Sequence, residues 1–213
     1  MSATRIKFCG FTRAEDVAEA VALGVDYVGF VFAARSKRRV TPDQARALRV
    51  AVPAGIGVVA LVMDNPAEEV RAIVQALRPD VLQCHGGESE GFAVQFGLPY
   101  WKAVAMGGDP AAALAQLGDY PQAQAFLFDG HAAGEPGGSG QRFDWAALPA
   151  GLGRPFLLAG GLGAGNVADA VANIRPMAVD VSSGVESGKG IKDVARVAAF
   201  ISGVEHGEAR SAG

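Results

Sequence analysis

The sequence predicts a single (β/α)₈ barrel of the TIM type. Apolar, strand-like runs alternate with segments of helical period from one end of the chain to the other, and the alternation counts to eight. The chain has 213 residues, half of them apolar, which suits one well-buried core rather than two domains. An open doubly wound sheet is the structural alternative. It usually places a glycine-rich phosphate turn after its first strand, and the first turn here, CGFTRAE, lacks one.

The elements follow in order. RIKFC (5–9) reads as the first strand, and Thr12 with Glu15 has the spacing of a capping box that opens a helix. DYVGFVF (26–32) is continuously apolar, as expected of a strand covered on both faces. Thr41-Pro42 marks a helix start with proline in its first position. IGVVALV (56–62) is the third strand, and Asn65-Pro66 opens the helix after it. DVLQCHG (80–86) and YWKAV (100–104) are shorter strands, followed by helical segments near 88–96 and 110–117. AFLFDG (125–130), RPFLLAGG (154–161) and MAVDVSSG (177–184) complete the eight. We expect residues 1–205 to form the barrel and 206–213, polar and small, to form a flexible tail.

Bulk properties exclude several function classes. A net charge of −3 argues against a general nucleic-acid binder. No stretch has the length of a membrane-spanning helix, and the N-terminus lacks the features of a secretory signal. Two cysteines are too few for a disulfide framework, so both thiols are expected free in a reducing cytoplasm.

Functional residues of a barrel gather where its strands end. Side-chain alternation then sorts them, because successive residues point to opposite faces. Lys7 and Cys9 are expected inside, with Ile6 and Phe8 under the helices. Gln83 and His85 share one face of strand four, and Cys84 has the other, as a structural thiol. Asp129 points inward with Leu127, and Ala178, Asp180 and Ser182 share a face. A thiol, two carboxylates and an imidazole thus meet at one mouth.

LAGGLGAGN (158–166) and VSSGVESGKG (181–190) supply glycine-rich turns after strands seven and eight, where this fold usually binds phosphate. Neither is a dinucleotide fingerprint or a P-loop, since the spacings are wrong. The basic run RSKRR (35–39) is ordinarily a solvated loop, but its place over the mouth suits a grip on a substrate carboxylate. A metal site of Cys9, Cys84 and His85 is rejected, because strands one and four lie apart and Cys84 points outward.

In order along the chain, IKFCGFT, GFVFAARSKRRV, QCHG, FDG, GGSGQRFDW, LAGGL, Asn166-Val167 and VDVSSGVE resemble the phosphoribosylanthranilate isomerase family of tryptophan biosynthesis. The resemblance covers nearly the whole chain. It implies an Amadori rearrangement of N-(5-phosphoribosyl)anthranilate with Cys9 as general base and Asp129 as general acid, and with neither metal nor organic cofactor. It implies that Arg38 holds the anthranilate carboxylate. It puts Gly160, Gly161, Ser182, Ser183 and Gly184 in the phosphate-binding segments, and His85 and Asp180 along the pocket. A small-molecule substrate and a monomer or homodimer are expected, with no nucleic-acid or membrane partner. Departures from the family pattern fall at Phe8, Lys37, Arg39, Cys84 and Gln141-Arg142. A positive neighbour such as Lys7 is expected to favour the Cys9 thiolate. Two competing expectations are the related isomerase of histidine biosynthesis, whose acid–base pair is two aspartates, and a sugar-phosphate-binding barrel without catalysis.

Overall fold

A computed structural model of the chain describes residues 3–132, 140–149 and 151–211. Eight parallel strands close into a barrel in sequence order: β1 (Arg5–Cys9), β2 (Tyr27–Val31), β3 (Gly57–Val62), β4 (Val81–Cys84), β5 (Tyr100–Ala105), β6 (Ala125–Asp129), β7 (Phe156–Leu158) and β8 (Ala178–Val181). β1 pairs with β8 through Lys7 opposite Asp180, which closes the ring. The helices are α1 (Ala14–Ala22), α2 (Pro42–Arg49), α3 (Ala67–Leu77), α4 (Glu90–Val94), α5 (Pro110–Ala115), α6 (Val167–Ile174) and α7 (Val194–Ser211). The sixth unit departs from the eightfold pattern. Among the described residues, only a 3₁₀ turn (Trp145–Ala147) stands between β6 and β7.

The alternation read from the sequence sets the layers. Phe8, Val28, Phe30, Val58, Ala60, Leu82, Phe126, Phe128 and Val179 face the helices and form the main core with them. Val59, Val81, Trp101, Ala103, Ala125, Leu127, Leu157 and Ala178 fill the barrel interior. Above that plug, Cys9, Val31, Ala33 and Leu61 form a small apolar cluster at the mouth. The plug is why the chemistry can sit only at one end.

Several local expectations differ from the structure. Thr12 does not cap α1; its hydroxyl donates to the Gly190 carbonyl at 2.6 Å, and the helix begins after Arg13. That bond ties β1's turn to a short hairpin, β9 (Glu186–Gly188) with β10 (Ile191–Lys192), which hydrophobic patterning does not reveal. Thr41 does cap α2, reciprocally with Gln44. Asn65 precedes α3 but accepts from the Met63 N–H instead of capping it. β7 and β8 are shorter than expected. Gly160 and Gly161 take positive φ (83° and 61°), which ends β7, and Ser183–Val185 forms a 3₁₀ turn.

The expectation of a tail at 206–213 is corrected: α7 continues as helix to Ser211. Gly203 and Gly207 lie against α6, where a side chain would strike Val167 and Ala168. Small residues there let the two helices approach closely. Glu208 accepts from the Thr4 N–H at 2.8 Å and Arg210 pairs with Asp169 at 2.7 Å, so the polar residues also have partners.

Candidate active site

A cavity of about 680 Å³, partly open to solvent, occupies the C-terminal mouth of the barrel. Cys9, Arg38, His85, Asp129, Gly160, Gly161, Asp180, Ser182 and Ser183 all line it. Every site residue expected from the sequence is therefore on its wall except Gly184. Gly184 lies behind the wall, where any side chain would strike the Leu162 carbonyl. The first residues of GGSGQRFDW (137–139) are outside the described residues.

β1 delivers Lys7 and Cys9 to the interior. Gly29 on β2 leaves the room: a methyl there would come within 2.9 Å of Cys9 Sγ and 3.2 Å of Lys7 Nζ. Lys7 is fully buried and donates to Asp180 Oδ1 at 2.9 Å. Burial alone would lower its pKa, but Asp180 and Cys9 reverse the sign and hold the ammonium charged. Burial raises the Cys9 thiol above its ordinary value, and this outweighs the opposing pull of Lys7 and Lys192. Lys7 thus pulls toward the thiolate as expected, but in the free site the dehydration of the thiol outweighs that pull.

Asp129 ends β6. Burial pushes its carboxyl up, but His131 and His85 more than offset this and hold it below the ordinary range. His131 Nδ1 lies 3.3 Å and His85 Nε2 lies 3.6 Å from Asp129 Oδ2. The His131 N–H donates to Asp129 Oδ1 at 3.3 Å, and the two imidazoles stack with centroids 4.8 Å apart. Cys84, as expected, packs under the helices, where burial pushes its thiol up to about 12.

His85 has its pKa lowered to about 4, chiefly by burial. The folded protein keeps it neutral where the unfolded chain, near 6.5, takes up a proton. Stability therefore falls as pH drops from 6.5 to 4, by about 3 kcal/mol from this group. The ionised carboxylates of Asp129 and Glu186, both held low, add losses only at still lower pH. Urea unfolding of wild type should show the loss within pH 6.5–4, and His85→Asn should lack it.

The basic loop sorts itself by contacts. Arg38 is nearly buried, and its Nε and Nη2 donate to Glu186 Oε1 and Oε2, each at 2.7 Å. Arg39 turns away to pair with Glu69 on α3 at 3.0 Å. Lys192 is buried behind Arg38, donating to the Cys9 and Ser182 carbonyls at 2.7 and 3.1 Å and to Glu186 at 3.0 Å. Sequence reasoning missed Glu186, Lys192 and His131. Glu186 and Lys192 lie on the unforeseen hairpin. His131 stands two residues beyond Asp129, and its nearness to that acid was the available signal.

The glycine turns are enforced sterically. A side chain at Gly160 would enter the Gly130 backbone and the Asp129 carboxylate, and one at Gly161 would strike Arg142. Asn166 holds the second half of its loop, accepting from the Gly163 N–H at 2.9 Å and donating to the Gly161 carbonyl at 3.0 Å. Gly160, Gly161, Ser182 and Ser183 thereby come together on one side of the cavity.

Known proteins point the same way. The family model of N-(5′-phosphoribosyl)anthranilate isomerase matches residues 6–203. The N-(5′-phosphoribosyl)anthranilate isomerase of Stenotrophomonas maltophilia is 53% identical over 207 residues, covering 96% of this chain and 94% of its own. The crystal structure of the Thermotoga maritima phosphoribosyl anthranilate isomerase superposes with a TM-score of 0.86 at 32% identity, covering 95% of this chain and 98% of its own. A further enzyme of this kind was solved in complex with reduced 1-(o-carboxyphenylamino)-1-deoxyribulose 5-phosphate, with TM-score 0.80, 29% identity and coverage of 95% and 98%. With that match from end to end, and with the barrel and its mouth as described, this chain belongs to the phosphoribosylanthranilate isomerase family.

Proposed function

We propose that the protein converts N-(5-phosphoribosyl)anthranilate into 1-(2-carboxyphenylamino)-1-deoxyribulose 5-phosphate, with Cys9 as general base and Asp129 as general acid. The observation that carries the reading is the convergence of Cys9, Asp129, Arg38 and both glycine-rich turns on one cavity, in a chain of this family. The complex of the related enzyme with a reduced product supports a ligand of this size and charge.

Asp129 protonates the furanose ring oxygen, and the C1′–O bond opens to an iminium. Cys9 takes the proton from C2′, and the electron pair flows into the iminium to give an enolamine. Protonation at C1′ and loss of the hydroxyl proton at C2′ complete the ketone. The iminium is the electron sink, so the route calls on no other electron acceptor.

The free site carries the one required proton on the other partner: Cys9 is a thiol and Asp129 a carboxylate. Moving that proton from Cys9 to Asp129 gives the working pair with no change in proton count. An anionic substrate beside Asp129 favours the protonated acid, since a nearby like charge raises a carboxyl pKa.

Arg38 is the carboxylate clamp in this reading, held from behind by Glu186. Arg38→Ala should raise KM by about tenfold or more with a smaller effect on kcat, and Arg39→Ala should leave both near wild type. Glu186→Gln should shift KM in the same direction as Arg38→Ala, because it frees the guanidinium. Steady-state kinetics decide each case; a KM effect at Arg39 and none at Arg38 would move the clamp by one residue.

The cytoplasm and a monomeric or homodimeric state are consistent with this role. Among the described residues, no helix is long and apolar enough to cross a membrane. The function is tested by following loss of substrate fluorescence, beside a parallel assay with the histidine-pathway substrate. Turnover of the first alone supports the reading. Turnover of the second alone supports the histidine isomerase, and binding without turnover supports the non-catalytic barrel.

A further inference from the structure

His131 has no part in the acid–base scheme, yet it is buried against its centre. His85, Asp129 and His131 present one ligand atom each, all within 4.8 Å of one another and all from buried side chains. The carboxylate oxygen stands 3.3 and 3.6 Å from the two ring nitrogens. A tetrahedral Zn²⁺ with bonds of about 2.0–2.1 Å sets its ligands about 3.3 Å apart. These two edges of the tetrahedron are therefore nearly in place; the third, between the stacked imidazoles, requires a ring to turn out of the stack.

Unpartnered atoms point to the same spot. His85 Nε2 and His131 Nδ1 are buried and make no well-formed hydrogen bond, facing Asp129 Oδ2 at 3.6 and 3.3 Å, and Gln83 Oε1 has no partner. Buried nitrogens left so are costly unless something meets them. Gln83 Nε2 now lies 3.0 Å from His85 Nδ1. An amide flip lets Gln83 Oε1 accept from an Nδ1–H, which leaves the Nε2 lone pair for a cation. Metal-bound histidines commonly have such a partner on their other nitrogen. Nearby positive charges are already matched, Lys7 by Asp180 at 2.9 Å and Lys102 by Glu88 at 3.6 Å. Two imidazoles and a carboxylate make a set that suits Zn²⁺; His85 and Asp129 line the mouth cavity, and His131 lines the neighbouring pocket with His85.

We propose that His85, Asp129 and His131 form a binding site for a divalent transition cation of the Zn²⁺ type, and that occupancy stops the isomerisation by taking the Asp129 carboxylate. The second half rests on Asp129 being the acid; the first half does not. The metal acts as an inhibitor, displaced as substrate and proton claim the carboxylate.

Co²⁺ is the probe, added to tag-free, chelator-treated protein. The expected result is one equivalent bound, with the strong visible bands of a four-coordinate ion, no sulfur-to-cobalt charge transfer, and displacement by Zn²⁺. His131→Asn and His85→Asn should each weaken binding by about tenfold or more, and Cys9→Ser should bind as wild type. Circular dichroism confirms that each variant is folded, and the wild-type spectrum decides the matter if neither is. Absence of stoichiometric uptake, a thiolate band, or undiminished binding in both folded histidine variants would overturn the site. In a separate arm, Zn²⁺ should reduce turnover in proportion to occupancy, and full turnover by the loaded protein would overturn the inhibition. Metal-free wild type that fails to turn over substrate counts against the proposed isomerase function, while the cobalt spectra still decide the site.

Discussion

Cys9→Ser should fold as wild type, bind substrate with similar affinity, and turn it over about 10²–10⁴-fold more slowly. The fold should survive because Cys9 contributes only a small apolar contact at the mouth, with Val31, Ala33 and Leu61, and serine is close in volume. Binding should survive because the proposed carboxylate and phosphate contacts are those of Arg38 and the glycine turns, not of Cys9. The loss falls on kcat because a serine hydroxyl has a far higher pKa than a thiol and does not supply the anion at neutral pH. Lys7 cannot compensate: its ammonium is already bound to Asp180. Stopped-flow turnover with a binding measurement on the same variant checks this, and near-normal kcat would remove Cys9 from the base role.

Asp129→Asn should cost a comparable factor, again in kcat and with KM changed little. Asparagine keeps the oxygen that accepts from the His131 N–H, so the β6 turn and the stacked imidazoles should persist. What it cannot do is give a proton to the ring oxygen. His85 is a poor substitute, since burial keeps it neutral down to about pH 4. If Asp129→Asn turned over normally, the acid would have to be another group, with His131 the nearest candidate.

Much of the architecture was legible because the alternation of apolar runs is strong and the barrel interior obeys strand parity. Lys7, Cys9, Asp129 and Asp180 point where parity sends them, and Cys84 points away. What escaped were interactions between residues far apart in sequence. Thr12 looked like a local cap, but the Gly190 carbonyl, 178 residues on, takes its hydroxyl. The end of the chain looked like a tail because its residues are polar and small, yet those small residues fit against α6. Glu186 behind Arg38 lies 148 residues from it, so no local pattern joins them. The protonation of Cys9 was not legible for a similar reason: the sequence shows Lys7 two residues away, but not how completely the fold buries the thiol.

The most direct measurement is loss of phosphoribosylanthranilate fluorescence with chelator-treated wild type and with the Cys9→Ser/Asp129→Asn double variant. The wild type should consume the substrate with no metal or cofactor added, and the folded double variant should not exceed the uncatalysed rate. Substrate persisting with the wild type, or a double variant that keeps pace with it, would contradict the account.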